Sequence, residues 1–137
     1  MYPAQIVLPM KAELTDAGFE DITTEAGVID AIENTEGTVL FVVNSVCGCA
    51  AGMARPGVKA SLQANKTPDK LCTVFAGFDT DAVKKVREYL MPYPPSSPSI
   101  ALFKNGELVH MIERHNIEGH SAMVIAQNLA AAYDEHC

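Results

Sequence analysis

The hydrophobic and polar positions along the chain predict an alternation of helices and extended segments. Apolar positions three or four residues apart, or runs of helix-forming residues, predict helices at residues 4–17, 25–34, 50–64, 81–90 and 118–135. Short apolar and β-branched runs predict extended segments at residues 19–22, 38–44, 71–77, 99–103 and 108–112. The predicted order is α-β-α-β-α-β-α-β-β-α.

Residues at the ends of the helical segments support these boundaries. Gly18 is placed to end the first helix, because glycine is favoured just after a helical C-terminus. Thr23 or Thr24 can cap the second helix, and Asp79 or Thr80 the helix at 81–90. Pro56 lies inside the segment 50–64, so we expect a kink in that helix.

The character of the strands predicts the fold class. Residues 38–44, TVLFVVN, form the continuous β-branched and aromatic run of a central parallel strand covered on both faces. Asn105-Gly106 between two apolar runs is a strong signal for an antiparallel hairpin. The sequence therefore predicts one α/β domain over residues 1–137, with a mixed sheet, helices on both faces and an extra N-terminal helix.

Charge and hydropathy narrow the partners and the compartment. The formal net charge of -7 and the absence of a basic cluster argue against nucleic acid and anionic membrane surfaces as partners. The uninterrupted apolar run at residues 39–43 is far shorter than the roughly 20 residues of a membrane span. Residues 1–10 lack the basic residue of a secretion signal, so we expect a cytoplasmic protein. In a reducing cytosol, cysteines are catalytic, metal-binding or inert rather than structural cross-links.

The motif Cys47-Gly48-Cys49 carries the candidate chemistry. It follows the strand at 38–44 and precedes a helix, and a helix N-terminus favours the thiolate that acts as a nucleophile. Gly48 offers the permissive backbone that bends the two cysteines toward each other. A disulfide across one residue closes a small, strained ring, and strained disulfides are the labile ones that exchange. The competing interpretation is a pair of buried, inert thiols.

A second signal is Ser97-Pro98, immediately before the strand at 99–103. The segment from Pro98 to Glu107, PSIALFKNGE, is similar to the thioredoxin segment that follows a cis-proline packed against the redox cysteines. This similarity predicts a cis peptide bond at Pro98 and a substrate-positioning role for Ser97 and Pro98. The alternative is an ordinary loop proline, since only about 5–6% of such bonds in folded proteins are cis.

Several motifs together resemble the bacilliredoxins. They are residues 42–56 (VVNSVCGCAAGMARP), 65–69 (NKTPD), 95–99 (PSSPS), 114–115 (RH) and 117–120 (IEGH), and the resemblance extends from near Val7 to Cys137. It implies a thioredoxin-like fold and removal of bacillithiol, a low-molecular-weight thiol, from mixed disulfides on oxidised client proteins. Cys47 would attack the mixed disulfide, and Cys49 or a second small thiol would resolve it. Bacillithiol would be a co-substrate, with no bound cofactor.

The remaining candidate residues have weaker signals. Arg55 stabilises the thiolate, binds a carboxylate of the small thiol, or is a solvated helix residue. Cys72, inside a strand, is interpreted as a buried hydrophobe, whereas the thiol of Cys137 either joins the exchange or is simply free. No metal site is predicted, because two histidines, His115 and His120, lack a zinc-binding spacing relative to Cys47.

Three other functions stay open from the sequence. The protein could be a general disulfide isomerase or reductase, rather than one specific for a small thiol. It could be an iron–sulfur carrier, because A-type scaffold proteins also contain Cys-Gly-Cys, although they place it near the chain end. Finally, it could be an interaction domain without catalysis, since a fold alone does not establish an activity.

Overall fold

A computed structural model describes residues 1–137 and has a five-stranded sheet at its centre. The strands are β1 (Glu20–Asp21), β2 (Thr38–Asn44), β3 (Lys70–Phe75), β4 (Ser99–Lys104) and β5 (Glu107–Ile112). Their order across the sheet is β1-β3-β2-β4-β5. The first three are parallel, whereas β4 runs antiparallel to β2 and β5 antiparallel to β4. The predicted mixed sheet is confirmed.

Six α-helices surround the sheet. They are α1 (Ala4–Thr15), α2 (Glu25–Glu33), α3 (Arg55–Ser61), α4 (Thr80–Leu90), α5 (Arg114–Ile117) and α6 (Ala122–His136). Gly18, at φ +102°, follows the C-terminus of α1, as predicted. Thr24 caps α2, because its hydroxyl accepts a hydrogen bond of 3.0 Å from the Gly27 amide. None of these helices is long and apolar enough to cross a bilayer.

Side chains of β2 alternate between two hydrophobic cores, one on each face of the sheet. Val39, Phe41 and Val43 join the core formed with α2 and α4. Leu40 and Val42 join the core formed with α1, α3 and α6. Every residue of β2 is buried, which confirms its prediction as a central strand covered on both faces.

The predicted helix at 118–135 was wrong at its start. Gly119 has a φ of +78°, which does not fit a right-handed helix, and α6 begins only at Ala122. Ser121 is the cap, since its hydroxyl accepts a hydrogen bond of 3.2 Å from the Val124 amide. A separate helix, α5, precedes this break and is too short for its apolar spacing to show in the sequence.

The segment predicted as one helix at 50–64 consists of a π-helical turn, Ala50–Ala54, followed by α3. Pro56 is the second residue of α3, within the first turn, where a missing amide hydrogen is tolerated. The departure from regular helix therefore comes before the proline, as a widened turn rather than a kink at Pro56.

Asp79 occupies the N-cap position of α4 but makes no capping bond with its side chain. Its carboxylate instead accepts a hydrogen bond of 3.2 Å from the Phe75 amide and pairs with Lys11 at 2.8 Å. Lys11 is 6% exposed and also pairs with Asp21 at 3.0 Å. Burial opposes the charge of Lys11, but its hydrogen bonds with the two carboxylates outweigh burial and raise its pKa. These pairs fix α1 against the sheet.

Candidate functional site

Cys47 lies at the end of the loop that follows β2, and Cys49 lies in the first turn of the helical segment after it. They are joined by a disulfide bond, with their Cα atoms 5.4 Å apart. Both are half-buried, and Gly48 between them is exposed. The cysteine pair is therefore at the surface, which contradicts the interpretation as sealed, inert thiols.

Backbone hydrogen bonds place Cys47 at the start of the helical segment. The amides of Ala50 and Ala51 donate to its carbonyl at 3.0 and 3.2 Å. Its own amide donates to Ser45 Oγ at 3.0 Å, which closes a tight turn before the helix. At this position the positive end of the helix dipole favours a thiolate over a thiol.

Arg55 lies beneath this loop and is only 1% exposed. Its Nη1 donates to Asn44 Oδ1 and to the Ser45 carbonyl, each at 2.8 Å, and its Nε is 3.1 Å from Glu13 Oε1. Asn44 Oδ1 also accepts from the Ser45 amide at 2.8 Å. The interpretation of Arg55 as a solvated residue is wrong, and its guanidinium has no solvent-facing surface from which to reach a ligand.

Ser97 and Pro98 lie beside the cysteine loop. The Ser97–Pro98 peptide bond is cis, as predicted, and a second cis bond precedes Pro92. Val43 of β2 pairs with Ser99 of β4, so the residues just before β4 run alongside those just after β2. In agreement, Ser97 lines the same cavity as Ser45 and Val46. The fold thus brings together the two motifs that the sequence separates by about fifty residues.

Gly48 has a different structural role from the one expected. Its backbone is outside the left-handed region, and a Cβ atom at this position would meet no atom within 4 Å. The disulfide-bonded form therefore does not require glycine here on steric grounds. The open space above Gly48 instead leaves the cysteine pair accessible to another molecule.

The other two cysteines differ in exposure. Cys72 is 0% exposed within β3, and burial raises the pKa of its thiol to about 12, which confirms the interpretation as a buried hydrophobe. Cys137, at the end of α6, is exposed and unpaired. No three His, Cys, Asp or Glu side chains converge in a way that could hold a metal ion. An iron–sulfur site at Cys47 and Cys49 would therefore need ligands from another molecule.

Three residues of the site were not identified from the sequence: Glu13, Asn44 and Ser45. The last two directly precede the cysteine motif, so a polar Asn-Ser pair at the end of an apolar strand was an available signal. No sequence signal marks Glu13, because only the packing of α1 against α3 brings it close to Arg55.

Comparison with known proteins agrees with this geometry. The sequence model of the disulphide isomerase family matches residues 2–137. A bacilliredoxin of Cytophaga hutchinsonii is 60% identical over 98% of this chain and 99% of its own length. A bacilliredoxin of Shouchella clausii is 56% identical over 99% of this chain and 94% of its own.

Among solved structures, the thioredoxin of Fasciola hepatica superposes with a TM-score of 0.60. It is 16% identical, and the superposition covers 87% of this chain and all of the thioredoxin. This likeness shows the thioredoxin fold, and the sequence relatives show the family. The chain belongs to the bacilliredoxin family of thioredoxin-fold thiol-disulfide oxidoreductases.

Proposed function

We propose that this protein removes a low-molecular-weight thiol of the bacillithiol type from mixed disulfides on oxidised client proteins. The observation that carries the proposal is the accessible Cys47–Cys49 disulfide at the junction of β2 and a helix. The bond between the two sulfurs supports a resolving role for Cys49, because it brings the second sulfur close to any group attached to the first. Its exposure leaves room for a client.

The reaction has two exchange steps. The Cys47 thiolate attacks the sulfur of the small thiol in the mixed disulfide, so that the bond to the client breaks and the client leaves as a thiolate. The Cys49 thiolate then attacks Cys47 Sγ, which releases the small thiol as its thiolate and forms the Cys47–Cys49 disulfide. Each step forms one disulfide and breaks one, and a reductant must then return two electrons to the enzyme.

Other side chains support these steps by position. Arg55 and Asn44 hold the loop that carries Cys47, and Ser97 and Pro98 flank it on the side of β4. The unpaired Cys72 and Cys137 fit a reducing compartment, so the proposal places the reaction in the cytoplasm. The relatives called bacilliredoxins support the choice of bacillithiol as co-substrate.

A second candidate is general disulfide isomerisation or reduction. It is favoured by the description of the matching family as disulphide isomerases. The two candidates differ in the group that becomes attached to Cys47. A dethiolase accepts the small thiol, whereas a general reductase accepts the client itself.

Mass spectrometry of a Cys49→Ser variant distinguishes the two. The variant also carries Cys137→Ser, which removes the other exposed thiol, and it is incubated with a bacillithiolated client. We expect a bacillithiol adduct on Cys47 and a released client, and no adduct when Cys47→Ser is added. A client joined to Cys47 would support the general reductase instead. Equal rates with a glutathionylated client would remove the preference for bacillithiol.

A further inference from the structure

A small cavity of about 210 Å³ lies beside the redox loop. It is lined by residues from the N-terminal segment, the loops after β2 and β3, α4 and the segment before β4: Tyr2, Ser45, Val46, Ala76, Gly77, Arg87 and Ser97. Val46 directly precedes Cys47, and Ser97 directly precedes the cis-proline. A molecule joined to Cys47 through its sulfur can therefore extend into this cavity.

Arg87 is the one charged side chain in the lining. Its guanidinium takes part in no ion pair, and its buried Nε has no hydrogen-bond partner. Burial without a neighbouring carboxylate lowers the pKa of Arg87. The other two arginines of the chain lie against carboxylates, Arg55 against Glu13 and Arg114 against Glu118. The buried Nε of Arg55 likewise forms no hydrogen bond, but it is 3.1 Å from Glu13 Oε1. The Arg87 side chain as a whole is half-buried and has no carboxylate partner in the chain, so its guanidinium is available to an acceptor from outside.

The residues that line the cavity favour a carboxylate as the bound group. A guanidinium presents several donors in a plane that matches the two oxygens of a carboxylate. Tyr2, Ser45 and Ser97, whose hydroxyl groups can donate hydrogen bonds, line the same space. A larger groove of about 570 Å³ adjoins the cavity at Gly77 and Arg87, which gives room for the remainder of a small molecule.

We propose that Arg87 binds a carboxylate of the low-molecular-weight thiol while the sulfur of that thiol reacts at Cys47. This inference rests on the proposed function and specifies how the site chooses its substrate. A mixed disulfide has two sulfurs, and attack at either one is chemically possible. A carboxylate held at Arg87 presents the small thiol's sulfur to Cys47, so the client's thiolate is the leaving group.

The test uses two mixed disulfides of one client peptide that differ only in charge. One carries 3-mercaptopropionate and the other 3-mercaptopropanamide, which has nearly the same shape without the carboxylate. In the Cys49→Ser background we expect faster exchange with the first. Arg87→Gln should lower kcat/KM for the carboxylate on the order of tenfold, and leave the amide nearly unchanged.

Lys84→Gln is the matched control, since Lys84 is an exposed cation of the same helix that lines only the adjoining groove. It should leave the ratio of the two kcat/KM values unchanged. Equal rates for the two substrates with unaltered Arg87, or an equal loss for both in Arg87→Gln, would overturn the assignment. The second result would indicate a structural role.

A second measurement does not depend on catalysis. Cys47 of the Cys49→Ser variant is capped chemically with either thiol, and the Tm of each form is measured. We expect a higher Tm with the carboxylate cap, and no difference between the caps in Arg87→Gln. If the protein exchanges neither with these peptides nor with the bacillithiolated client, the proposed function fails, and the two Tm values then decide alone on Arg87. Equal Tm values would reject it.

Discussion

At Arg55, one buried guanidinium connects three segments that are far apart in the chain. It binds the end of β2 through Asn44, the cysteine loop through the Ser45 carbonyl, and α1 through Glu13. The same loop carbonyl and amide groups determine where the Cys47 backbone lies. The position of Cys47, the proposed nucleophile, therefore depends on a residue that is buried beneath the loop.

Replacing Arg55 by methionine tests this dependence. The change keeps most of the buried volume but leaves Asn44 Oδ1 and the Ser45 carbonyl without their charged donor. We expect a loss of about 2–3 kcal/mol in the free energy of unfolding. We also expect a higher pKa of Cys47 in the reduced protein, because a loosened loop holds the sulfur less firmly at the helix N-terminus.

Thiolate absorbance as a function of pH measures the pKa, and urea unfolding measures the stability. Arg55→Lys is the comparison, since it retains a cation but not the planar set of donors. A Met variant that loses stability while the Cys47 pKa stays at its original value would show that Arg55 is only structural.

At the scale of elements, α3, the helix that follows the cysteine pair, is positioned by its close crossing with α6. Gly57 of α3 lies where the helices meet, and a Cβ there would be 2.8 Å from Ile125 Cγ2 and 3.0 Å from the Ala122 carbonyl. These distances are shorter than van der Waals contact, so only glycine permits the crossing. The start of α3 carries Arg55, so the crossing and the cysteine loop are linked.

Two glycine substitutions in this segment should therefore have opposite outcomes. Gly57→Ala forces α3 and α6 apart, and we expect it to lower the free energy of unfolding by about 1–3 kcal/mol. Gly52→Ala, in the π-helical turn, adds a Cβ that meets no atom within 4 Å. It should be neutral, or stabilising by up to about 1 kcal/mol. Equal urea midpoints for the two variants would contradict the close crossing.

Elements with strong local signals were the ones that the sequence predicted well. The bounds of β2 matched because its seven residues are uniformly apolar or β-branched apart from its polar last residue. The hairpin turn matched because Asn105 and Gly106 adopt the positive φ angles, +50° and +84°, that this pair favours. The predicted start of α6 was wrong because Glu118 and His120 fit a helical pattern that Gly119 interrupts.

Residues of the candidate site also fall into those that the sequence predicted and those that it did not. Cys47, Cys49 and Pro98 were recognisable from neighbouring residues in the chain. The ion pair of Arg55 with Glu13 and the unpaired guanidinium of Arg87 were not, because both depend on how helices pack against the sheet. The burial of a charged side chain is a property of the tertiary structure, and no local pattern specifies its partner.

For the whole molecule, the two cores contain one weakly acidic group each. Cys72 lies in the core with α2 and α4, and Tyr133 in the core with α3 and α6. Burial raises the pKa of each to about 12, from 9.0 for the thiol and 10.0 for the phenol. The Cys72 thiol and the Tyr133 phenol therefore stay protonated in the folded protein at a pH where the unfolded chain has begun to ionise them.

The unfolded chain releases these protons at lower pH than the folded protein. Stability from the two groups is thus complete below pH 9 and declines as pH rises toward 12, by up to about 1.4 kcal/mol per pH unit for each group. Between pH 8 and pH 10, the ionisation of Cys72 in the unfolded chain should lower the free energy of unfolding by about 1 kcal/mol. Cys72→Ala should be less stable at pH 8, because it leaves a cavity, but should lose less between pH 8 and pH 10.

Urea unfolding of the disulfide-bonded protein at pH 7, 8, 9 and 10 measures how the free energy of unfolding depends on pH. Over this range the raised pKa of Lys11 keeps that residue charged in the folded protein. Cys137→Ala is the control, because Cys137 is exposed and its replacement leaves both cores intact. This variant should show the same pH slope as the unaltered protein. Tyr133→Phe should flatten the curve only as pH approaches 10, since the phenol titrates later. Parallel curves for the unaltered protein and Cys72→Ala would show that the buried thiol does not couple to folding.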